Sequence, residues 1–155
     1  MQDPKSLTSV ALFHETFKHP VLPEPNIPAE TRCNLRVSLL AEELKELEEG
    51  IKNNDIVEIA DALCDLQYVL SGAILEFGLG EKFKTLFDEV QRSNMSKACK
   101  SEEEAQATVA HYEAKGTSCF YEKEGELFLV FREGDRKTLK SVAYSPADLK
   151  GILEK

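Results

Sequence analysis

No stretch of the 155 residues reaches the roughly 18 apolar residues that a membrane-crossing helix needs. Residues Met1 to Val10 lack a basic start followed by an apolar core, so no secretory signal is legible. Basic residues are scarce: 19 Lys and Arg stand against 28 Asp and Glu, for a net charge of −9. Such a surface argues against a nucleic-acid or anionic-membrane binder. It does not exclude a nucleotide substrate, because a bound divalent cation reverses the local field. Cys33, Cys64, Cys99 and Cys119 form no CxxC pair, which removes the usual zinc spacing and reads as reduced thiols in the cytoplasm. Also missing are a GxxxxGK[ST] phosphate loop, a GxGxxG turn and a GxSxG nucleophile elbow. There is no internal repeat and no low-complexity tract. A charged share of 30% and an apolar share of 42% are those of a globular domain.

The apolar spacing predicts a mainly α chain. A first helix covers 7–18, with Val10, Phe13, His14 and Phe17 at helical intervals. Pro20, Pro23, Pro25 and Pro28 then forbid a helix and favour a stiff, extended crossing. A second helix is expected over 31–50, with a stripe of Leu40, Leu44, Leu47 and Ile51 and with Gly50 as its stop. Asp55 caps a third, over 56–77, whose stripe is Ile56, Ile59, Leu63, Leu66, Leu70, Ile74 and Phe77. A fourth covers 81–93, and the SEEEA run at Ser101 starts a fifth, to 115. After Gly116 the pattern turns to β. Runs around Phe120, at Leu127 to Phe131 and at Thr138 to Tyr144 are separated by the turns Glu124-Gly125 and Glu133 to Asp135. The expected organisation is a helical catalytic domain over 1–115. A small antiparallel β appendage over 116–155, too small to fold alone, packs on the same domain.

Carboxylates carry the chemical signal. Glu42, Glu43 and Glu46 lie on the second helix, and Glu58, Asp61 and Asp65 on the third. Spacings of three, four and seven put each set on one side of its helix. A short turn joins the two helices, so they are expected to be antiparallel with the acidic ladders facing. Carboxylates held this close repel, and hard divalent cations with oxygen ligands, Mg²⁺ or Mn²⁺, relieve the repulsion. A solvated acidic face is the plainer reading for the second helix alone, and Glu48 and Glu49 are assigned to it. The third helix is apolar almost all round from Leu66, so its carboxylates lead into a buried face and need partners.

Other polar positions weigh less. Arg92, Ser93, Asn94 and Lys97 end the fourth helix, where they suit a phosphate or a base, or simply a helix C-terminus. His14, beside Phe13 and Phe17, reads as a packed helix histidine. Lys137 and Lys140 are surface lysines within reach of an anionic ligand only if one binds there.

This ordered set resembles the all-α nucleoside triphosphate pyrophosphohydrolases: the MazG-like, dimeric dUTPase-like and phosphoribosyl-ATP pyrophosphohydrolase-like enzymes. LRVSLLAEELKEL (35–47), EIADALCDLQYVLSGAILEFGL (58–79) and FDEVQRSNMSK (87–97) carry the resemblance, with FHETF and LKSVAYSPADL as further parts of the last branch. It implies a helical bundle assembled as a homodimer or homotetramer. It further implies Mg²⁺-dependent cleavage of a (d)NTP to (d)NMP and pyrophosphate. The implied metal ligands are Glu43 and Glu46, then Glu58, Asp61 and Asp65; Glu43 and Glu46 are also the catalytic candidates, and Asn94 and Lys97 the nucleotide-binding ones. The family's second pair is ExxD. Glu58 and Asp61 satisfy it literally, yet Asp65 precedes the Leu-x-Tyr-Val, and in that register the glutamate falls on Ala62. Two alternatives stand beside this reading. One is phosphoribosyl-ATP as the substrate; the other is a non-catalytic helical module that binds metal or nucleotide.

Overall fold

Side-chain caps set where three of the helices begin. The computed structural model describes residues 2–154. Its elements are α1 (Ser6–Phe17), α2 (Glu30–Asn53), α3 (Ile56–Glu76), α4 (Phe83–Met95), α5 (Glu102–Glu113), β1 (Cys119–Glu124), β2 (Leu127–Arg132) and α6 (Leu149–Leu153). Asp55 accepts from the amides of Val57 and Glu58 and starts α3, as its sequence position suggests. Ser101 accepts from the Glu104 amide and starts α5. The mainly helical class with a small antiparallel sheet is the expected one.

Two compact units divide the chain, one up to Lys84 and one from Thr85 onward, well before the compositional change at Gly116. In the first, α3 packs on both α1 and α2. Gly50 does not stop α2, which runs on to Asn53 and ends where Asn54 takes a left-handed conformation. The glycine is buried instead because α3 passes close by. A Cβ there would stand 3.1 Å from the Ile59 amide and 3.2 Å from the Glu58 Cβ. The proline-rich segment crosses as a brace over the end of α3. The amides of Leu22 and Asn26 donate to the carbonyls of Leu75 and Phe77, both at 3.0 Å. Gly78, at φ +67°, is needed there, since any side chain would collide with the Glu24 carbonyl.

The expected apolar stripes are covered only in part: Ile74 is buried and Leu40, Leu47, Ile59, Leu66 and Phe77 are half-buried. Ile56 is 74% exposed, Leu63 51%, Leu44 51% and Ile51 60%. The buried side of α3 is instead Ala62, Ser71, Gly72, Ile74, Leu75 and Glu76. Glu76 is 1% exposed and is gripped by Arg32 and Arg36 of α2. Arg36, itself 7% exposed, also donates to His14 Nε2 at 3.3 Å, while His14 Nδ1 donates to the Pro20 carbonyl at 2.8 Å. His14 is thus the packed histidine expected, and its proton sits on Nδ1. Gly72 makes room for the cluster, because a Cβ would come within 2.7 Å of Arg36 Nη1 and 3.0 Å of His14 Nε2.

In the second unit α5 packs on the hairpin. β1 and β2 pair antiparallel with Glu124 opposite Leu127, so the turn is Gly125-Glu126, with Gly125 at φ +60°. Cys99, Ala105, Cys119, Val130 and Leu139 form the core, ringed by Val109, Tyr112, Tyr121 and Phe128. The expected third strand over 138–144 does not form. One bridge joins Phe131 and Thr138, Leu139 then turns into the core, and the chain leaves the sheet. α6, with its Asp148 cap, had no apolar signal long enough to announce it. All four cysteines are free thiols.

Burial alone would raise the Glu76 carboxyl, but hydrogen bonds from Arg32 and Arg36 outweigh it and hold the group below the ordinary range. Burial pushes the His14 imidazole down, with Arg36 adding to the effect. Both shifts make the fold labile to acid. Stability from Glu76 is complete above its unfolded value of about 4.3 and is lost below it. Stability from neutral His14 is lost as pH falls through about 6.5. Thermal melts from pH 7.5 to pH 3 are expected to show a melting temperature that declines continuously. Glu76→Gln, which leaves two arginines unpaired, should cost roughly 3–5 kcal/mol at neutral pH and flatten the profile below pH 5.

Candidate active site

The carboxylates are positioned by the same helix pairing. Arg36 meets Gly72 at one end of the α2–α3 pair, and Gly50 meets Glu58 and Ile59 at the other. The helices are therefore antiparallel, and this register sets Glu43 across from Asp65 and Glu46 across from Asp61 and Ala62. Ala62 is 1% exposed, so the departure from the ExxD pattern lies in the helix interface.

Glu46, Glu58 and Asp61 line a cavity of about 330 Å³ together with Glu49. Glu49, which the sequence assigns to a solvated face, stands one turn beyond Glu46 and belongs to this wall; Lys45 lies 3.6 Å from its Oε1. The i, i+3 spacing from Glu46 was the signal for it. Glu43 and Asp65 are not among the walls. Glu43 is half-buried, and its Oε2 is a buried oxygen without a hydrogen-bond partner. Burial first, then the charges of Glu46, Asp65, Glu42 and Asp61, push its carboxyl above the ordinary range. Four carboxylates thus act on one, as the facing ladders imply. Among the described residues no three Asp, Glu, His or Cys side chains converge on one point. An orphaned buried oxygen beside an all-carboxylate wall nevertheless fits a hard divalent cation better than any other group.

A second cavity, about 200 Å³ and largely apolar, lies further along the same helix pair. Phe13, His19, Leu39, Tyr68 and Val69 are among its walls, and Arg36 and His14 reach it. Leu39 is one turn from Glu43, and Tyr68 one turn from Asp65. Phe13 stacks on His19 and meets Tyr68 edge-on, at ring separations of 5.8 and 5.6 Å. Asn94 and Lys97 belong to the second unit, where the lysine ammonium donates to the amide oxygen at 2.8 Å.

Opposed acidic faces on an antiparallel helix pair, in a chain made mostly of helices, define the class: the MazG-like pyrophosphohydrolases. Within that class, the phosphoribosyl-ATP pyrophosphohydrolase family matches residues 10–94, more than half of the chain, and the chain belongs to that family. Its members are hydrolases of phosphoric anhydrides and are generally dependent on divalent metal. No curated protein matches the chain. The matched segment holds the last two-thirds of α1, all of α2 and α3 and almost all of α4, and leaves α5, the hairpin and α6 outside.

The raised Glu43 carboxyl has a thermodynamic signature. Above its folded pKa the ionised group opposes folding, and below its unfolded value of about 4.3 the penalty is gone. Without divalent cation, Glu43→Gln is therefore expected to melt higher than wild type at pH 8, with the gap closing toward pH 4. A variant no more stable at pH 8 would sink the assignment of repulsion to this residue.

Proposed function

We propose that the protein hydrolyses a nucleoside triphosphate, ribo or deoxy, to the monophosphate and pyrophosphate, with Mg²⁺ as the working cation and Mn²⁺ as a substitute. The observation that carries this is the unpartnered, buried Glu43 oxygen on a helix face whose other acids, Glu46, Asp65, Glu42 and Asp61, all act on its carboxyl. Glu46, Glu58, Asp61 and Asp65, with Glu43, would hold the cation. When bound, it supplies positive charge and Lewis acidity to the phosphate oxygens. Glu43 is the proposed general base: a carboxylate oxygen that it does not use in holding the cation would take the proton from water. The water oxygen bonds to the α-phosphorus, the bond to the bridging oxygen breaks, and pyrophosphate leaves with that electron pair. The apolar cavity walled by Phe13, Leu39 and Tyr68 suits a planar base, and Asn94 and Lys97 are proposed as nucleotide-binding residues. Free thiols suit a cytoplasmic setting. No described helix is long and apolar enough to cross a membrane.

The family match favours a second substrate at least as well, phosphoribosyl-ATP, which undergoes the same cleavage. Release of pyrophosphate and of phosphate, measured across NTPs, dNTPs and phosphoribosyl-ATP with Mg²⁺, Mn²⁺ or chelator, separates the two. Pyrophosphate without phosphate is expected, absent with chelator. Asp65→Ala and Glu46→Ala should each lower kcat by about 100-fold or more while the fold persists. No pyrophosphate from any of these nucleotides, or a fully active Asp65→Ala, would overturn the reading.

We also propose a homo-oligomer, dimer or tetramer. Val37, Leu44, Ile51, Ile56, Leu63 and Leu70 are large apolar residues of α2 and α3 left exposed in the single chain, more than scattered surface leucines require. Light scattering should give at least twice the 17.4 kDa of one chain, and Leu63→Glu should lower that mass.

A further inference from the structure

Arg36 has a hydrogen-bond donor to spare. Its Nη2 is spent on Glu76 and His14, but its Nε–H is buried and has no partner. The side chain is 8% exposed, and a donor left without an acceptor at that depth is costly. The surrounding cluster has little to give it. Arg32 and Arg36 already engage the two oxygens of Glu76. His14 Nε2 takes Arg36, and His14 Nδ1 donates to the Pro20 carbonyl. Two guanidiniums share one carboxylate here, so what the cluster still offers a ligand is a donor.

That donor belongs to the wall of the apolar cavity. Along α2 the wall runs from Leu39 through Arg36 and Leu35 to Arg32, away from Glu43. Along α3 it runs from Tyr68 to Val69, away from Asp65 and toward Gly72. Two helical turns, about 11 Å, separate Arg36 from Glu43, room enough for a nucleoside. A nucleotide with its phosphates at the acids and its base in this cavity turns toward Arg36 the base edge farthest from the sugar. On that edge uracil, thymine, hypoxanthine and guanine carry a keto oxygen, whereas cytosine and adenine carry an amino group. The oxygen accepts the Arg36 Nε–H. The amino group sets N–H against N–H and leaves both without acceptors. The other polar groups of the wall, His19 and the Tyr68 hydroxyl, can each donate or accept, so they do not choose between the two edges.

We propose that Arg36 is a specificity-determining residue, which selects nucleotides whose base carries a keto oxygen on the edge far from the sugar over those with an amino group there. The inference rests on the reading of this cavity as the base pocket, and it requires no turnover.

The test is calorimetric titration of the full-length protein, in Mg²⁺, with the α,β-methylene analogues of UTP, CTP, ITP and ATP, which resist cleavage. The UTP analogue is expected to bind tighter than the CTP analogue, and the ITP analogue tighter than the ATP analogue. Each ratio should be about tenfold, the scale of one hydrogen bond to a charged group. A preference shared by a pyrimidine pair and a purine pair reports the edge and not the size of the ring. Arg36→Met removes the donor, leaves Glu76 paired with Arg32, and should bring both ratios close to one. If that variant does not fold, the two wild-type ratios decide. Equal binding within either pair, tighter binding of an amino member, no binding of any of the four, or unchanged ratios in a folded Arg36→Met would each overturn the inference. The hydrolase reading falls separately. If no nucleotide yields pyrophosphate but the keto analogues bind tighter, the selection stands without the reaction. If pyrophosphate is released with equal kcat/KM from both members of each pair, the reaction stands and the selection falls.

Discussion

One buried carboxylate holds the helical unit in place. Glu76 sits on the last turn of α3 and takes two arginines from α2, and through Arg36 it reaches His14 on α1. Charges this deep are costly unless every one is partnered, so the cluster tolerates a single arrangement of the three helices. Gly72 allows the arginine to pass, and Gly50, at the other end of the pair, allows the helices to close. Between these two fixed points lie Glu43, Glu46, Asp61 and Asp65. The geometry of the acidic faces is therefore a consequence of a salt-bridged end and a glycine-tight end, not of any attraction among the acids themselves.

The two charge clusters of this unit have opposite characters. Around Glu76 the charges are matched, and ionisation favours folding. Around Glu43 they are all of one sign, and ionisation opposes it. A protein keeps such a cluster at a cost in stability, and positive charge arriving from solution reverses the cost. Binding and folding are then linked, because whatever occupies the acidic face also stabilises α2 against α3.

Local signals were legible and partner-dependent ones were not. Asp55 and Ser101 announce helix starts because a cap needs only its own next turn. The acidic ladders were legible because spacing alone fixes their face. Gly50 misleads because a stop and a close-packing glycine look alike until the second helix is known. Glu49 reads as solvated because it follows Glu48 in an acidic run that also holds Lys45, and only the cavity shows which side it takes. The apolar stripe through Ile56, Leu63 and Leu70 reads as core, yet this unit buries a smaller, more polar face around Ser71, Gly72 and Glu76. Periodicity says that a face is to be covered, not what covers it. The run 138–144 has β composition, but Leu139 is drawn into the core and Tyr144 is held by Ser93, so composition yields to two tertiary contacts.

The proline brace has a kinetic side. A helix normally frays from its ends, because the last carbonyls have only water to bond. Here the carbonyls of Leu75 and Phe77 are closed by amides from Leu22 and Asn26. Those amides come from a segment whose prolines leave the unfolded chain few conformations to gain. The last turn of α3, which carries Glu76, cannot open by itself. Its opening requires the brace to lift, and the brace gains little entropy on lifting. Solvent exchange at that helix end should thus report a concerted event of the whole unit, placing what is ordinarily the softest part of a helix among its slowest to exchange.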